Sequence, residues 1–388
     1  MKDLSLDNLT YENKKMISRK ERRLTKKVKK RSNKKRKFKT FFLLIAVLSS
    51  MYTSLVFFDI PYISELRDIY IETAMTTATH QWLATLFFPD SLINRVMSKK
   101  VDNSNLIAIT EVKKHENNTT NNDKDNKSYG SNGQALDILN QRDLKIGDKD
   151  YAGNKVIIND LEQGIIISEV KGDKFKGKIA LIDDPKRVFI GTTDKKRVSG
   201  RTILDFLSMN DAVLGINASG FRDEGGVGNG GDIIGITYSK GEKWGTYTNM
   251  YGTIAFDKND RLIVGGIENW DKYDVRDGAQ FSPVLISNNK KVINGSAGWG
   301  LQPRTVVGQR RDGAVLLLVI DGRQPLHSLG ATMEDCAEIM QSYKAVTAAA
   351  CDGGSSSIMG YKGEILNKCS SPSKVGRLLP NAFLIRKK

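Results

Sequence analysis

Histidine and cysteine each occur only three times in this 388-residue chain, and proline eight times. Histidines 80, 115 and 327 are too few and too scattered for a His-built zinc site, and there is no Cys-x-x-Cys pair to replace one. Cysteines 336, 351 and 369 are an odd number, which argues against a disulfide framework. A Cys351–Cys369 bridge stays open, with buried free thiols the better reading. The glycine-rich run "DEGGVGNGGD" (223–232) lacks the Lys-Ser/Thr of a P-loop and the spacing of a dinucleotide fingerprint, so nucleotide binding is disfavoured. Acidic charge is also short, with 44 Asp+Glu against 60 Lys+Arg, a net +16. That balance would suggest a nucleic-acid partner if it were spread evenly. It is not: residues 1–40 hold 17 Lys/Arg and 4 Asp/Glu, whereas residues 101–388 hold 39 and 35. The folded part is close to neutral, and nucleic acid drops out as a partner.

The basic arm runs into "FFLLIAVLSSMYTSLVFF" (41–58), 18 residues without a charge. As a helix this covers roughly 27 Å, enough to span a bilayer core. A cleavable signal peptide is the rival; the forty-residue basic lead and the lack of a small-x-small cleavage site favour a signal-anchor. The positive flank then stays cytoplasmic against anionic lipid, and the C-terminal domain is extracytoplasmic at the cell membrane. The expected organisation is a basic arm (1–40), a transmembrane signal-anchor (41–60), an amphipathic juxtamembrane helical segment (61–101), a disordered linker (102–135) and a domain at 136–388. In the third segment Leu66, Ile69, Tyr70 and Ala74 fall at helical spacing, and an apolar cluster, Trp82 to Phe88, precedes Pro89. It either lies on the membrane or packs on the main domain. The linker is built from Asn, Lys and Ser with almost nothing to bury.

Beyond the linker, short β-branched runs alternate with Asp, Gly and Pro, which is strand-and-turn punctuation. "AVLGI", "DIIGITYS", "GTIAFD", "RLIVGG", "PVLIS", "RTVVGQ" and "AVLLLVID" are expected strands. One helix is expected within "SGRTILDFLSMN", capped near Ser199. A second begins at Thr332, where Asp335 completes a capping box, and runs to about Lys344. Many strands with two internal helices predict an α+β domain of mixed or antiparallel extended sheets, not a doubly wound one. Arg310 and Arg311 fall in an expected hairpin turn and read as solvated.

Several strands stop on a polar residue beside glycine. "AVLGINASGF" stops at Asn217, "LLLVIDGRQ" at Asp321 before Arg323, and "TAAACDGGSSS" at Asp352 before Ser355 and Ser356. Arg304 and Thr305 open "RTVVGQ", and Asn381 opens the last strand. Converging strand ends gather such groups at one mouth, and glycines admit a ligand close to the backbone. Gly353 and Gly354 leave N–H groups able to face an anion. For each residue the ordinary alternative is a satisfied turn or cap; an Asp-Gly after a strand is commonly just a turn.

The ordered motifs "GINASGF", "GVGNGG…IGI", "RTVVGQRRDGAVLLLVIDGRQ", "SLGATMEDCAEIMQSYKAVTAAACDGGSSSIM" and "LPNAF" resemble the phosphodiester glycosidase family over about residues 150–388. Animal members remove N-acetylglucosamine from a sugar–phosphate diester to uncover mannose 6-phosphate, and bacterial members are often described as exopolysaccharide-related. The resemblance implies an α+β catalytic domain hydrolysing a glycosyl-phosphate diester. It carries over to Asn217, Arg304, Thr305, Asp321, Arg323, Asp352, Gly353, Gly354, Ser355 and Asn381. The sequence departs from the family pattern at "NASGFRD", with Arg222 and Asp223, at Cys351 where an aliphatic residue is common, and at Ser282 where glycine is usual.

The expected mechanism has Arg304 neutralising the diester and Asp352 or Asp321 serving as base on water or as nucleophile. Asn217, Thr305, Arg323, Gly353, Gly354, Ser355, Ser356 and Asn381 would bind the substrate. Oxygen ligands at Asp232, Asp321 or Asp352 would suit calcium or magnesium if a divalent cation takes part. The substrate class is an N-acetylhexosamine-1-phosphodiester in wall polymer or capsular polysaccharide. A tethered, non-catalytic polysaccharide or teichoic-acid binding protein is the alternative function, and a phosphomonoesterase a third.

Overall fold

The computed structural model describes residues 16, 24, 26, 27, 36–112 and 144–388. Most of the basic arm and most of the expected linker, residues 113–143 with its junction to the main domain, lie outside the described residues. The chain divides into two units, Met1–Arg67 and Asp68–Lys388.

In the smaller unit, helix α1 (Arg36–Phe57) is long and apolar enough to cross a membrane. Its Phe41, Leu43, Leu44 and Leu48 are exposed. It begins five residues before the expected span, within the basic arm, because nothing at Arg36 to Thr40 breaks a helix. Helix α2 (Ile63–Met75) starts near the end of this unit and runs into the next.

The larger unit holds three sheets, and every strand pair in them is antiparallel, as an α+β architecture of this kind requires. One has eight strands, including β2 (Arg304–Arg310), β3 (Val315–Ile320) and β4 (Ala345–Ala350), ordered β4–β2–β3 at its centre. A five-stranded sheet contains β1 (Ala212–Asn217), β5 (Met359–Tyr361) and β6 (Asn381–Arg386), in the order β5–β1–β6. The third sheet has six strands.

The run "VLLLVI" of β3 is apolar at every position because both faces of its sheet are covered. Val315, Leu317 and Val319 meet Leu214, Ile216, Phe256 and Phe383 from the other two sheets. Leu316, Leu318 and Ile320 meet Met333, Cys336, Ala337 and Met340 of α4 (Met333–Ser342). α3 (Ile203–Met209) covers the outer face of the five-stranded sheet through Ile203, Phe206 and Leu207.

α4 starts at Thr332 with the expected capping box to Asp335. α3 is capped by Thr202, not Ser199, since Thr202 has the reciprocal acid Asp205 three residues on. Two further corrections concern burial. Arg310 is 1% exposed. Its guanidinium donates to Tyr151 Oη at 2.9 Å and to Asp312 at 3.0 Å, so the hairpin arginine closes a polar knot under the sheet while Arg311 stays exposed. The first part of the expected linker is also structured. Ala108–Ile109 pairs with the strand Leu262–Gly265, and the Asn103 side chain both donates to and accepts from the backbone of Val284. The apolar "LIAI" ahead of the Asn-rich run is what allows it.

Candidate functional site

β1, β2 and β4 deliver their ends to one place, and a single amide ties them. Asn217, the last residue of β1, is completely buried. Its Nδ2 donates to the Asp352 carbonyl at 2.6 Å, while its Oδ1 accepts from Thr305 Oγ1 at 2.8 Å and from the Ile358 N–H at 3.2 Å. Asp352 N–H donates to the Ala218 carbonyl, and Cys351 N–H to that of Thr305. The side-chain amide supplies a donor and an acceptor on separate atoms, which the three partners here use together. Asn381 performs the same service behind the site. It donates to Ser219 Oγ and Thr237 Oγ1 and accepts from Ser219 N–H. Asn217, Thr305 and Asn381 therefore frame the site from its floor.

Above that floor stands the Asp352 side chain, partly buried, with the Ser356 hydroxyl and the Gly353 N–H on its carboxyl. Burial is the largest influence and pushes its pKa up to about 6. The Ser356 bond and Arg377 act the other way, and Asp223 adds to the rise. Arg323 faces it from the loop after β3. Its guanidinium lies so close to Gly354 that a Cβ there would stand 2.9 Å from Nη2, and Gly354 itself has φ +60°, a conformation that favours glycine. Arg323 is exposed, has a left-handed φ of 58°, and donates from Nε to Gln302 Oε1 at 2.8 Å. Burial of the guanidinium lowers its pKa, the charge of Asp352 opposes that and the charge of Arg377 adds to it.

Two contributors gave no signal in the strand-end pattern. Arg377 grips Asp223 through both guanidinium nitrogens at 2.5 and 2.7 Å and also donates to the Gly228 carbonyl. A longer contact, 3.4 Å, reaches the Ser355 hydroxyl. Asp223 belongs to the departure "NASGFRD", which was the one available hint. Tyr251 is the other. Burial and the Asp352 charge push its phenol up to about 12, and its ring stacks on Phe281 at 4.9 Å, with Trp299 tilted beyond.

Other expected site groups are occupied elsewhere. Arg304 is buried, donating to the carbonyls of Ala331, Trp299 and Gly300 at 3.0, 2.8 and 2.7 Å. Burial lowers its pKa to about 10. The Gly354 N–H donates to the Pro303 carbonyl and the Gly353 N–H to Asp352, so these two amides do not form the expected anion nest. Asp321 is buried, with Oδ1 accepting from Asn367 Nδ2 and Lys368 N–H and Oδ2 2.8 Å from His327 Nε2. It fastens its own loop to the one that carries Asn367 and Lys368. Asp232 is exposed and pairs with Arg222 at 2.9 Å. Asp232, Asp321 and Asp352 thus have separate partners, and among the described residues no three His, Cys, Asp or Glu are grouped to hold a metal ion. All three cysteines are free, and Cys369 donates to the Ser355 carbonyl.

These strand ends lie in a segment similar to glycosidase-type hydrolases. Residues 210–386 match the family model described as phosphodiester glycosidase. A curated relative, the SPbeta prophage-derived uncharacterized protein YomE of Bacillus subtilis (strain 168), is 29% identical over 195 residues. The match covers 48% of this chain and 29% of that protein, so the chain spans less than a third of its relative's length. Among solved structures, the zebrafish N-acetylglucosamine-1-phosphodiester alpha-N-acetylglucosaminidase catalytic domain, auto-inhibited by its pro-peptide, has a TM-score of 0.48 at 17% identity, covering 58% of this chain and 82% of that one. A hypothetical protein from Synechocystis has a TM-score of 0.44 at 13% identity, covering 61% and 64%.

Proposed function

We propose that the domain hydrolyses a glycosyl-phosphate diester of the N-acetylhexosamine-1-phosphate type, acting from an anchor in the cell membrane on wall polymer or capsular polysaccharide. The observation that supports it best is the Asp352 carboxyl, raised to about 6, with the two guanidinium groups of Arg323 and Arg377 acting beside it in a phosphodiester glycosidase domain. A phosphate needs cations, and the arginine fork matches its oxygens. A carboxyl tuned near neutrality suits transfer of a proton to or from water.

In this reading Arg323 and Arg377 hold the phosphate. Asp352, ionised, takes a proton from water as the water oxygen bonds to the anomeric carbon. The bond between that carbon and the bridging oxygen breaks, and the phosphate monoester leaves as an anion that needs no protonation. Tyr251 and Phe281 offer an aromatic wall to the sugar. Asp321, with its oxygens already committed, keeps the loops in place instead. The Lys/Arg-rich flank of α1 would hold the N-terminus in the cytoplasm and the hydrolase domain outside.

The test uses the full chain in detergent micelles with UDP-N-acetylglucosamine, following released N-acetylglucosamine with and without EDTA. Release that disappears in Asp352→Asn supports the hydrolase. Binding of wall-polymer fragments with no release would favour the non-catalytic binding protein, and free inorganic phosphate from a sugar phosphate would favour the phosphomonoesterase.

A further inference from the structure

Gln302 sits on the loop just before β2, 3% exposed, with every polar atom of its side chain engaged. Its Nε2 donates to the Thr73 carbonyl at 2.8 Å and to Thr76 Oγ1 at 3.1 Å. Its Oε1 accepts from Arg323 Nε at 2.8 Å. The amide orientation is forced, since the flipped amide would aim a donor at Arg323 and an acceptor at the Thr73 carbonyl. Thr73 grips the same loop a second time, with Oγ1 accepting from Leu301 N–H at 2.9 Å. Gly300 is packed so closely that a Cβ would stand 2.5 Å from Thr73 N. The next turn of this segment touches the glycine-rich loop too: a Cβ on Gly226 would come within 2.8 Å of the Thr79 methyl. That loop carries Gly228, whose carbonyl takes Arg377.

We infer that Gln302, bracketed by Thr73 and Thr76, is a positioning residue for Arg323, and that residues 68–79, outside the segment matched by the family model, are a working part of the site. Arg323 is an exposed residue with a long side chain and a left-handed backbone. Left alone, it would sample many rotamers and lose entropy on each binding event. The Gln302 acceptor holds Nε and leaves the outer nitrogens free to turn toward a phosphate. Gln302 is in turn fixed by donors that end on the helix leading from the apolar span. The inference rests on the phosphodiester reading for its substrate, though not for its geometry.

The experiment compares the full-length wild type with Gln302→Leu, Thr76→Val and Thr76→Ser in detergent micelles. With UDP-N-acetylglucosamine, Thr76→Val should raise KM about threefold to tenfold with kcat changed less than twofold, and Gln302→Leu should raise it further. Thr76→Ser should restore KM, since it keeps the hydroxyl. A role confined to structure would lower Tm in Gln302→Leu and Thr76→Val and leave KM alone, and that result overturns the inference. Independently of turnover, the rate of phenylglyoxal adduct formation at Arg323 relative to Arg377, read by peptide mass spectrometry, should rise in both variants and return in Thr76→Ser. An unchanged ratio overturns the inference as well. Failure of the phosphodiester reading would appear differently, as no sugar release from the wild type, and the adduct ratio would then decide the positioning role.

Discussion

Asn217 Nδ2 donates to the Asp352 carbonyl at 2.6 Å across 135 residues of sequence, so the end of β1 and the exit of β4 share one hydrogen bond. The carboxyl proposed to do the chemistry is thereby carried on a backbone that an amide from a different sheet holds in place. Its neighbour Thr305 completes the arrangement by donating to the same amide's oxygen.

Replacing Asn217 by Ala strands the Ile358 N–H, the Thr305 hydroxyl and the Asp352 carbonyl in a buried site. The expected loss is about 2–4 kcal/mol of stability, read by denaturant unfolding, together with a fall in turnover. Thr305→Val removes one bond and should cost about 1–2 kcal/mol. If the two variants unfold alike, the amide is not the centre of the junction.

The raised pKa of Asp352 sets two pH dependences. As a base it must be ionised, so kcat/KM should climb with pH and level off above about 6. In stability the direction is the opposite. The usual pKa of 3.8 is raised to about 6 in the fold, so the fold favours the protonated form. That contribution is full below 3.8 and lost as pH rises through 6. Asp352→Asn, which keeps the neutral shape, should therefore unfold like the wild type near pH 3.5 and be more stable at pH 8, by on the order of 1–3 kcal/mol. Equal Tm values at both pH values would contradict a buried, uphill carboxylate.

Asp223 and Arg377 tune that carboxyl from opposite sides. Asp223 raises its pKa and Arg377 lowers it. Asp223→Asn removes the like charge, so the acid limb of kcat/KM should move to lower pH. Arg377→Gln removes the cation, so the limb should move to higher pH and KM for a phosphodiester should rise. A pH–rate series on the two variants checks both signs, and shifts in the same direction would show that the pair does not act through charge.

The sequence carried the parts of this arrangement that are local. The apolar run "AVLLLVID" announced β3 as a strand, and Thr332 with Asp335 announced where α4 begins. The habit of strands ending on Asn217, Asp321 and Asp352 pointed to one mouth. It could not say which of these side chains turn inward to fasten loops, because that depends on partners such as Asn367 and Lys368, 46 and 47 residues beyond Asp321. Arg377 and Asp223 stand 154 residues apart and neither belongs to a strand-end motif. Helical spacing in α2 showed that one face is covered, while the loop covering it, at 299–302, lies more than two hundred residues away.

Arg304 shows how the same residue type divides between structure and binding. Arg323 is an exposed residue whose Nε has one side-chain acceptor, whereas Arg304 is 4% exposed and gives Nε and Nη2 to three backbone carbonyls. Truncation to Met leaves the Gly300 carbonyl without its donor and those of Ala331 and Trp299 with only long contacts, from Gln302 N–H at 3.3 Å and the Thr76 hydroxyl at 3.5 Å, and should cost about 2–4 kcal/mol. Arg304→Lys should recover little of it, because a point charge cannot replace a planar fork aimed at three acceptors. At a temperature where the variant is still folded, KM should be nearly that of the wild type, while Arg323→Lys should raise KM with little change in Tm. Parallel unfolding curves and KM measurements on the two lysine variants decide the matter: if Arg304→Lys keeps its Tm and loses substrate affinity, Arg304 is a phosphate ligand and its carbonyl partners release it on binding.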